Sequence, residues 1–407
     1  MPFRAIYCKG SERAKGNGLA NRGERKKRNG RANRGERALP HNKKEGSGNA
    51  DNYPDGRRNK EAKMRTLILT GGGSAGHAVP HLALLPGLRQ HFRLAYIGTD
   101  GIERRIMEQS GLPYYAIPAV KFVRAGVWKN AGLPFRFPQS VRAAKRALQA
   151  AGAEGVFSKG GYVALPVALA ARSLGLPVVT HESDLTPGLA NRLIARGCAA
   201  VLTSFPETAQ KFKNGIWTGP PLRRELLCGN RTRARAKYAL TGEKPVLLIF
   251  GGGSGSRALN EAADGATERI LSIFDVVHIR GDEGQARPGY VPLAYEPDMA
   301  SAYACADFVL ARAGSNTLFE LLALKKPALL VPLANKRSRG DQQENAAYFE
   351  RRGLVRVLPE EALSPGALFA ALQELAADAD LRRALAQHRP AVGNAAIIRA
   401  VCAAMGE

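Results

Sequence analysis

From Met64 onward, short runs of consecutive apolar residues alternate with longer stretches in which apolar positions recur every three or four residues. Runs of the first kind read as strands covered on both faces, and the longer stretches as helices packed over them, so the pattern predicts a parallel α/β sheet. Thr66-Leu67-Ile68-Leu69-Thr70 is the first strand, followed by the loop Gly71-Gly72-Gly73-Ser74-Ala75-Gly76-His77 and a helix from about 79 to 90. The alternation continues with a strand near 94–97, a helix near 102–109 and a strand near 114–117. Val156-Phe157-Ser158 then runs into a glycine turn, Lys159-Gly160-Gly161-Tyr162, and a helix over 165–174. A strand over 177–181, ending in His181-Glu182-Ser183-Asp184, a helix around 187–195 and a strand over 200–203 complete this half. Thr218-Gly219-Pro220-Pro221-Leu222-Arg223 reads as a linker. The second half opens as the first does, with the strand 246–250 and a triple-glycine loop, Gly251-Gly252-Gly253-Ser254-Gly255-Ser256-Arg257, before a helix. A strand over 276–279, the segment from Tyr290 to Glu296 and a helix over 298–304 follow. This repetition predicts two Rossmann-like domains facing each other across a cleft, over residues 64–222 and 223–389. A last helix from about Pro390, within 390–407, is expected to pack back on the first domain.

The richest stretch is 307–345. Phe308-Val309-Leu310 is a buried strand, Ala313-Gly314-Ser315-Asn316 a turn, 317–324 a helix and 328–331 the next strand, which together make a minimal βαβ unit. Gly314 allows the backbone to approach a ligand, and the free N–H groups and positive dipole end of the following helix suit a phosphate. Glu320, one turn in, can accept hydrogen bonds from a diol such as ribose. Asp341-Gln342-Gln343 offers amides that can read sugar hydroxyls. The combination suggests a nucleotide-sugar site; the plainer alternative is an ordinary crossover with a surface glutamate and a helix cap. His77, beside the first loop, can be a general base, a phosphate ligand or a helix cap. His181, Glu182 and Asp184 lie at the carboxyl end of a strand, where open α/β sheets bind ligands.

Composition narrows the class. A chain of 407 residues, 45% of them hydrophobic, suits a soluble two-domain protein. Its five cysteines (Cys8, Cys198, Cys228, Cys305, Cys402) form no C-x-x-C pair, which argues against a zinc cluster or a disulfide framework. No apolar run approaches the ~18 residues of a membrane span, and no secretory signal is visible. The formal charge is +25, and residues 1–63 hold 18 Lys and Arg against 7 Asp and Glu. Such a charge calls for an anionic partner: nucleic acid, anionic lipid or a phosphate-bearing substrate. Residues 1–63 repeat Ala-Asn-Arg-Gly-Glu-Arg, at 20–25 and 32–37, and have too little apolar periodicity to fold. They read either as an RNA- or lipid-binding arm or, the favoured reading, as an extension ahead of a true start at Met64. Residues 121–147 interleave Phe122, Val123, Val127, Trp128, Leu133, Phe135 and Phe137 with seven cations. They suit an anionic membrane surface, or else the aromatic residues are core.

On these residues the chain resembles the MurG-type N-acetylglucosaminyltransferases of peptidoglycan synthesis. The matching motifs are 72–77, 157–162, His181-Glu182-Ser183-Asp184-Leu185-Thr186-Pro187-Gly188, the second glycine loop through Arg257, 312–320, and Asp341-Gln342-Gln343-Glu344-Asn345. The resemblance covers Met64 to the C-terminus. It implies a GT-B fold with the donor in the C-terminal domain and the acceptor in the N-terminal one. The implied reaction moves N-acetylglucosamine from UDP-N-acetylglucosamine to lipid I, giving lipid II, at the cytoplasmic face of the membrane, with the protein bound peripherally to its anionic surface. By position, Glu320 should hold the uridine ribose. Gly314, Ser315, Asn316, Thr317, Arg223 and Gly252, Gly253 and Ser254 should hold the diphosphate and its neighbouring atoms. Gln342 and Gln343 should contact the donor sugar. Ser74, Ala75 and Gly76 line the cleft, Glu296 joins the donor set, and His77, His181, Glu182 and Asp184 face the acceptor. The family commonly has serine at Gly253, asparagine at Asp184 and serine at Ala313.

The implied chemistry is displacement at an anomeric carbon with UDP leaving. His77 is the first choice of base, with Glu182 and Asp184 in reserve. No Asp-x-Asp follows a strand, so an inverting transfer without metal or cofactor is expected. The rivals are another two-domain sugar-nucleotide enzyme (a 2-epimerase or a diacylglycerol glucosyltransferase) and a nucleic-acid binder acting through the basic arm. No nucleic-acid partner is expected of the transferase.

Overall fold

The computed structural model describes residues 64–120, 133–240, 242–252, 255–334 and 339–407. The basic segment 1–63, the first part of the aromatic and cationic stretch (121–132) and Gly253 and Ser254 therefore lie outside the described residues.

The chain forms two wholly parallel sheets, an α/β architecture of two Rossmann-like halves. In the first, β1 (Thr66–Thr70), β2 (Arg93–Gly98), β3 (Tyr114–Ala116), β4 (Gly155–Ser158), β5 (Val178–Glu182), β6 (Ala200–Thr203) and β7 (Gly215–Trp217) run in the order β3-β2-β1-β4-β5-β6-β7. In the second, β8 (Val246–Phe250), β9 (Asp275–Ile279), β10 (Tyr290–Leu293), β11 (Phe308–Ala311), β12 (Ala328–Leu330) and β13 (Arg356–Val357) run in the order β10-β9-β8-β11-β12-β13. β1 and β8 are buried along their whole length, as strands covered by helices on both faces must be. Strand order reverses beside β1 and beside β8, and the crevice outside such a reversal is where doubly wound sheets take ligands. Both triple-glycine loops leave these two strands.

The helices depart from the sequence reading in informative ways. The first begins at Ala75 rather than 79 and ends at Leu82; a separate turn, Leu85–Leu88, follows. Pro86 cannot donate to the carbonyl four residues back, which weakens a continuous helix, and it stands in the first turn of Leu85–Leu88, where proline is well tolerated. The stretch 133–147 belongs to an 18-residue helix, Leu133–Ala150, that buries Ser140, Ala144, Ala147 and Leu148. Phe135 on its first turn is 77% exposed, so this aromatic residue is not core. Asp341-Gln342-Gln343 opens a helix, Asp341–Glu350, which its weak amphipathic pattern had concealed.

The C-terminal helix and Phe205 each tie one half to the other. The C-terminal helix Asn394–Met405 lies in the first domain's core, with Ile397, Val401, Cys402 and Met405 against Leu67, Leu69, Leu85 and Leu88. Burying an aliphatic side chain of this size stabilises by ~1.5–3 kcal/mol. Asn394 fixes the linker, accepting from the Leu222 N–H at 2.8 Å and donating to the Leu222 carbonyl at 2.9 Å and to the Ala83 carbonyl at 3.0 Å. Phe205, just beyond β6, enters the second domain's core instead of its own. Its ring centroid lies 5.0 Å from Phe319, 5.0 Å from Tyr348 and 5.6 Å from Phe349.

Candidate active site

On the second-domain side, the helix Ser315–Ala323 starts directly after β11, with Gly314 in extended backbone as its N-cap. A Cβ at Gly314 would meet no protein atom within 4 Å, so the space above the helix tip is open to a ligand. Ser315 is buried, and Asn316 and Thr317 are half-buried at the tip. One turn along, Glu320 accepts a hydrogen bond from Arg223 Nη2 at 3.0 Å and another from the Tyr303 hydroxyl at 3.1 Å. Arg223 comes from the linker, and its Nε is buried without a partner. A carboxylate clamped from two sides is held in one orientation, as diol recognition requires. The second glycine loop turns at Gly252, with φ 91°, and its Ser256 caps the next helix. Arg312 braces this loop, donating to Ser256 Oγ at 2.9 Å and to the Val331 carbonyl at 3.1 Å while pairing with Glu360. Gln342 accepts from the Leu333 N–H at 3.0 Å, and Gln343 beside it is half-buried. Glu296 is buried, and its oxygens are taken by Lys237, the Tyr238 hydroxyl and the Asp298 N–H.

On the first-domain side, His77 sits in the first turn of the helix Ala75–Leu82, after the exposed cap residue Ser74 and the exposed Gly76. Its Nδ1 lies 3.1 Å from the Lys159 carbonyl. A carbonyl only accepts, so Nδ1 carries the hydrogen and Nε2 keeps its lone pair. Burial lowers the pKa of this ring below the ordinary 6.5, against the pull of Asp184. Gly161, with φ 85°, lets the ring fit: a Cβ there would come 3.1 Å from His77 Cδ2 and 2.7 Å from the Gly72 carbonyl.

The reserve bases are otherwise occupied. Glu182 is buried and accepts from the Asp184 N–H at 3.0 Å, the Gly188 N–H at 3.0 Å and Asn191 at 2.8 Å, so it shapes its own loop. Burial raises its pKa, and the Asp184 charge adds to that. Asp184 reaches across the cleft, accepting from Arg339 at 2.8 Å and from Asn345 at 3.0 Å. His181 is fully buried, with Nε2 3.2 Å from the Gly219 carbonyl and Nδ1 2.7 Å from the Lys159 amine. It holds the end of β5 to the linker and does not itself line open space.

Asn316 closes the cleft by donating to the Gly76 carbonyl at 2.9 Å. That carbonyl is available because Pro80, four residues on, has no N–H to give it. Arg339, Tyr303 and Lys159 were passed over in the sequence. Tyr303 carried no signal there, but a lysine directly after a buried strand was a legible anomaly.

Comparison with known proteins follows this geometry. The glycosyltransferase family 28 N-terminal domain matches residues 67–203, and the family 28 C-terminal domain matches residues 246–395. The chain belongs to glycosyltransferase family 28. The family's two domains thus fall on the two sheets and meet at the cleft. A curated relative from Clostridium kluyveri is 44% identical over 322 residues, 77% of this chain and 91% of its own length. It is named UDP-N-acetylglucosamine--N-acetylmuramyl-(pentapeptide) pyrophosphoryl-undecaprenol N-acetylglucosamine transferase. The crystal structure of MurG from Acinetobacter baumannii is 25% identical with a TM-score of 0.62, covering 83% of this chain and 98% of that one. A UDP-N-acetylglucosamine 2-epimerase structure, 14% identical with a TM-score of 0.59 over 83% of this chain and 94% of that one, shares the fold alone.

Proposed function

We propose that this family 28 glycosyltransferase performs the reaction for which its Clostridium kluyveri relative is named. It transfers N-acetylglucosamine from UDP-N-acetylglucosamine to N-acetylmuramyl-(pentapeptide) pyrophosphoryl-undecaprenol, lipid I. The observation that carries the proposal is the 44% identity over nine-tenths of that relative's length. It spans a cleft with an open helix tip and a clamped glutamate on one wall and a histidine with a free Nε2 on the other.

In this reading the uridine ribose hydroxyls bind Glu320, and the diphosphate meets Gly314 to Thr317, Arg223 and the 251–256 loop. The N-acetylglucosamine meets Gln342 and Gln343. The departing diphosphate gathers negative charge, which the helix tip N–H groups and Arg223 stabilise. His77 Nε2 takes the proton of the attacking acceptor hydroxyl, and the sugar is transferred with inversion. Asp184, already bound by Arg339 and Asn345, and Glu182, bound within its loop, position the acceptor side. No metal is assigned, because no Asp-x-Asp follows a strand.

The membrane partner belongs to the same proposal. Among the described residues no helix is long and apolar enough to cross a membrane. Phe135, 77% exposed at the start of a helix that also carries Arg136, Arg142, Lys145 and Arg146, supports peripheral binding to an anionic surface, which this reading places at the cytoplasmic face. Radiolabel transfer from UDP-N-acetylglucosamine to a lipid I analogue, with and without chelator, tests the reaction. Wild-type protein that makes no disaccharide product overturns it, and loss of transfer on chelation overturns the metal-free part. The alternative of a non-hydrolysing 2-epimerase rests on the shared fold alone and predicts a C2-epimerised sugar still linked to UDP, with no sugar on the lipid.

A further inference from the structure

Lys159 is the anomaly of the first domain. It directly follows β4, and only 2% of it is exposed. Its backbone N–H donates to the Thr70 carbonyl at 2.8 Å, and its carbonyl holds His77 Nδ1 at 3.1 Å. Its amine lies 2.7 Å from His181 Nδ1 and donates to Ser183 Oγ at 2.8 Å. One residue therefore ties the end of β1, the histidine of the first glycine loop and the start of the loop after β5.

We infer that Lys159 is a positioning residue for glycosyl transfer, its buried amine locking the His181 ring and the Ser183 hydroxyl and so setting the acceptor loop 183–188 against His77. The inference rests on the transferase reading above. An amine donates to a lone pair, so His181 Nδ1 is the acceptor and Nε2–H donates to the Gly219 carbonyl of the linker. That tautomer lets a single ring connect the acceptor loop to the interdomain linker. The bland alternative is that Lys159 only balances the buried Glu182. The hydrogen bonds argue against it: the amine goes to His181 and Ser183, while Glu182 is bound by Asp184, Gly188 and Asn191.

The charges around this amine and around His77 are defined. Glu182 and Asp184 face Lys159 and favour its ammonium, whereas burial pulls its pKa from 10.5 to about 7. His77 faces Asp184, Arg339 and Lys159; of these Asp184 raises its pKa, and the two cations lower it. Burial holds His181 well below the ordinary imidazole value, and the Lys159 charge and His81 lower it further. His81 is itself lowered to about 3, mainly by burial, so it stays neutral beside the pair.

The test is Lys159→Met, which keeps length and removes the donor and the charge. Transfer from UDP-N-acetylglucosamine to a lipid I analogue is followed in the full chain across pH 5–9. The inference expects kcat/KM for the acceptor to fall about 10- to 100-fold, the scale of losses from a misplaced reacting group. KM for UDP-N-acetylglucosamine should stay within about twofold, because the donor groups sit on the other sheet and an interaction touching only the acceptor leaves donor binding unchanged. The acid limb should move up by about half a pH unit or more, because a cation beside His77 is gone. Equal losses for both substrates with an unmoved acid limb would mean a purely structural lysine and overturn the inference. Wild-type protein that makes no disaccharide would instead sink the transferase reading. A second measurement needs no variant: imidazole nitrogen NMR of the wild type should show His181 as the Nε2–H tautomer. An Nδ1–H tautomer there overturns the inference even if Lys159→Met fails to fold.

Discussion

Replacing Glu320 by glutamine isolates the charge at the helix tip while keeping shape and volume. In the structure one carboxylate oxygen takes Arg223 and the other takes Tyr303, which leaves each oxygen a further lone pair on a side chain that is still 14% exposed. A ribose diol bound there makes charge-assisted hydrogen bonds, and a bond to a charged group contributes about 1.5–3 kcal/mol. Glutamine can offer only one acceptor oxygen, and its amide faces the donors of Arg223 or Tyr303. Losing one such bond corresponds to about 10- to 150-fold in affinity. The substitution also leaves the Arg223 guanidinium, whose Nε already lacks a partner, short of its counter-charge. Calorimetry of UDP binding to folded Glu320→Gln is the assay, with ADP as the comparison ligand. Weakening of UDP by an order of magnitude or more, with ADP weakened in parallel because it carries the same ribose diol, is the expected result. If UDP affinity stays within twofold of wild type, the ribose does not sit on Glu320 and the donor assignment fails.

Pro80→Ala supplies an N–H four residues after the Gly76 carbonyl, so the helix competes with Asn316 for that acceptor. The variant should fold at least as stably, yet KM for the acceptor should rise a few-fold; an unchanged KM means that the Asn316 contact does not matter to turnover. Phe205→Ala empties a site among Phe319, Tyr348 and Phe349 and should destabilise by about 3–5 kcal/mol. Urea unfolding should then separate into two transitions as the halves uncouple, and a single transition with an unchanged midpoint would refute this. Between pH 7 and 10 the unfolded chain holds a proton at Lys159 that the native state has released, so this group makes stability rise with pH. Urea midpoints of Lys159→Met should lack that part of the rise, and identical pH slopes in variant and wild type would contradict the assigned burial.

Strand runs and glycine loops made the fold legible, because a parallel strand buried on both faces shows as a run of apolar residues whatever surrounds it. Glu320 and His77 were legible for the same local reason: each stands at a fixed distance from a strand end. What escaped was set by contacts far apart in sequence. Asp184 reads as a free carboxylate, but Arg339 and Asn345 come to it from 155 and 161 residues away. His181 reads as a site residue, but its two nitrogens are taken by Lys159 and Gly219 behind the cleft wall. The first helix reads as starting near 79 but starts at Ala75, which puts Pro80 inside it. The Asp341–Glu350 helix went unread because its buried residues, Asn345, Ala346 and Phe349, include a polar one that turns toward the other domain.

The contacts between the halves divide into two kinds, and their magnitudes decide how a substrate enters. The polar ones line the cleft. Asp184–Arg339 is 15% and 33% exposed, so screening by solvent limits it to about 1 kcal/mol or less. The neutral Asn316–Gly76 and Leu185–Asn345 bonds add about 1 kcal/mol each, and the Asn345 bond to the Asp184 carboxylate about 1.5–3 kcal/mol. Phe205 itself is 1% exposed, and the apolar knot it forms is about as strong as these together. An opening that breaks the polar set while Phe205 stays seated therefore costs only a few kcal/mol, within reach of thermal fluctuation. Because Asp184 is assigned to the acceptor and Asn316 to the diphosphate, substrate can replace these two contacts as it enters. The Pro80→Ala and Phe205→Ala variants probe these two sets separately, and the first should alter substrate binding before the second does.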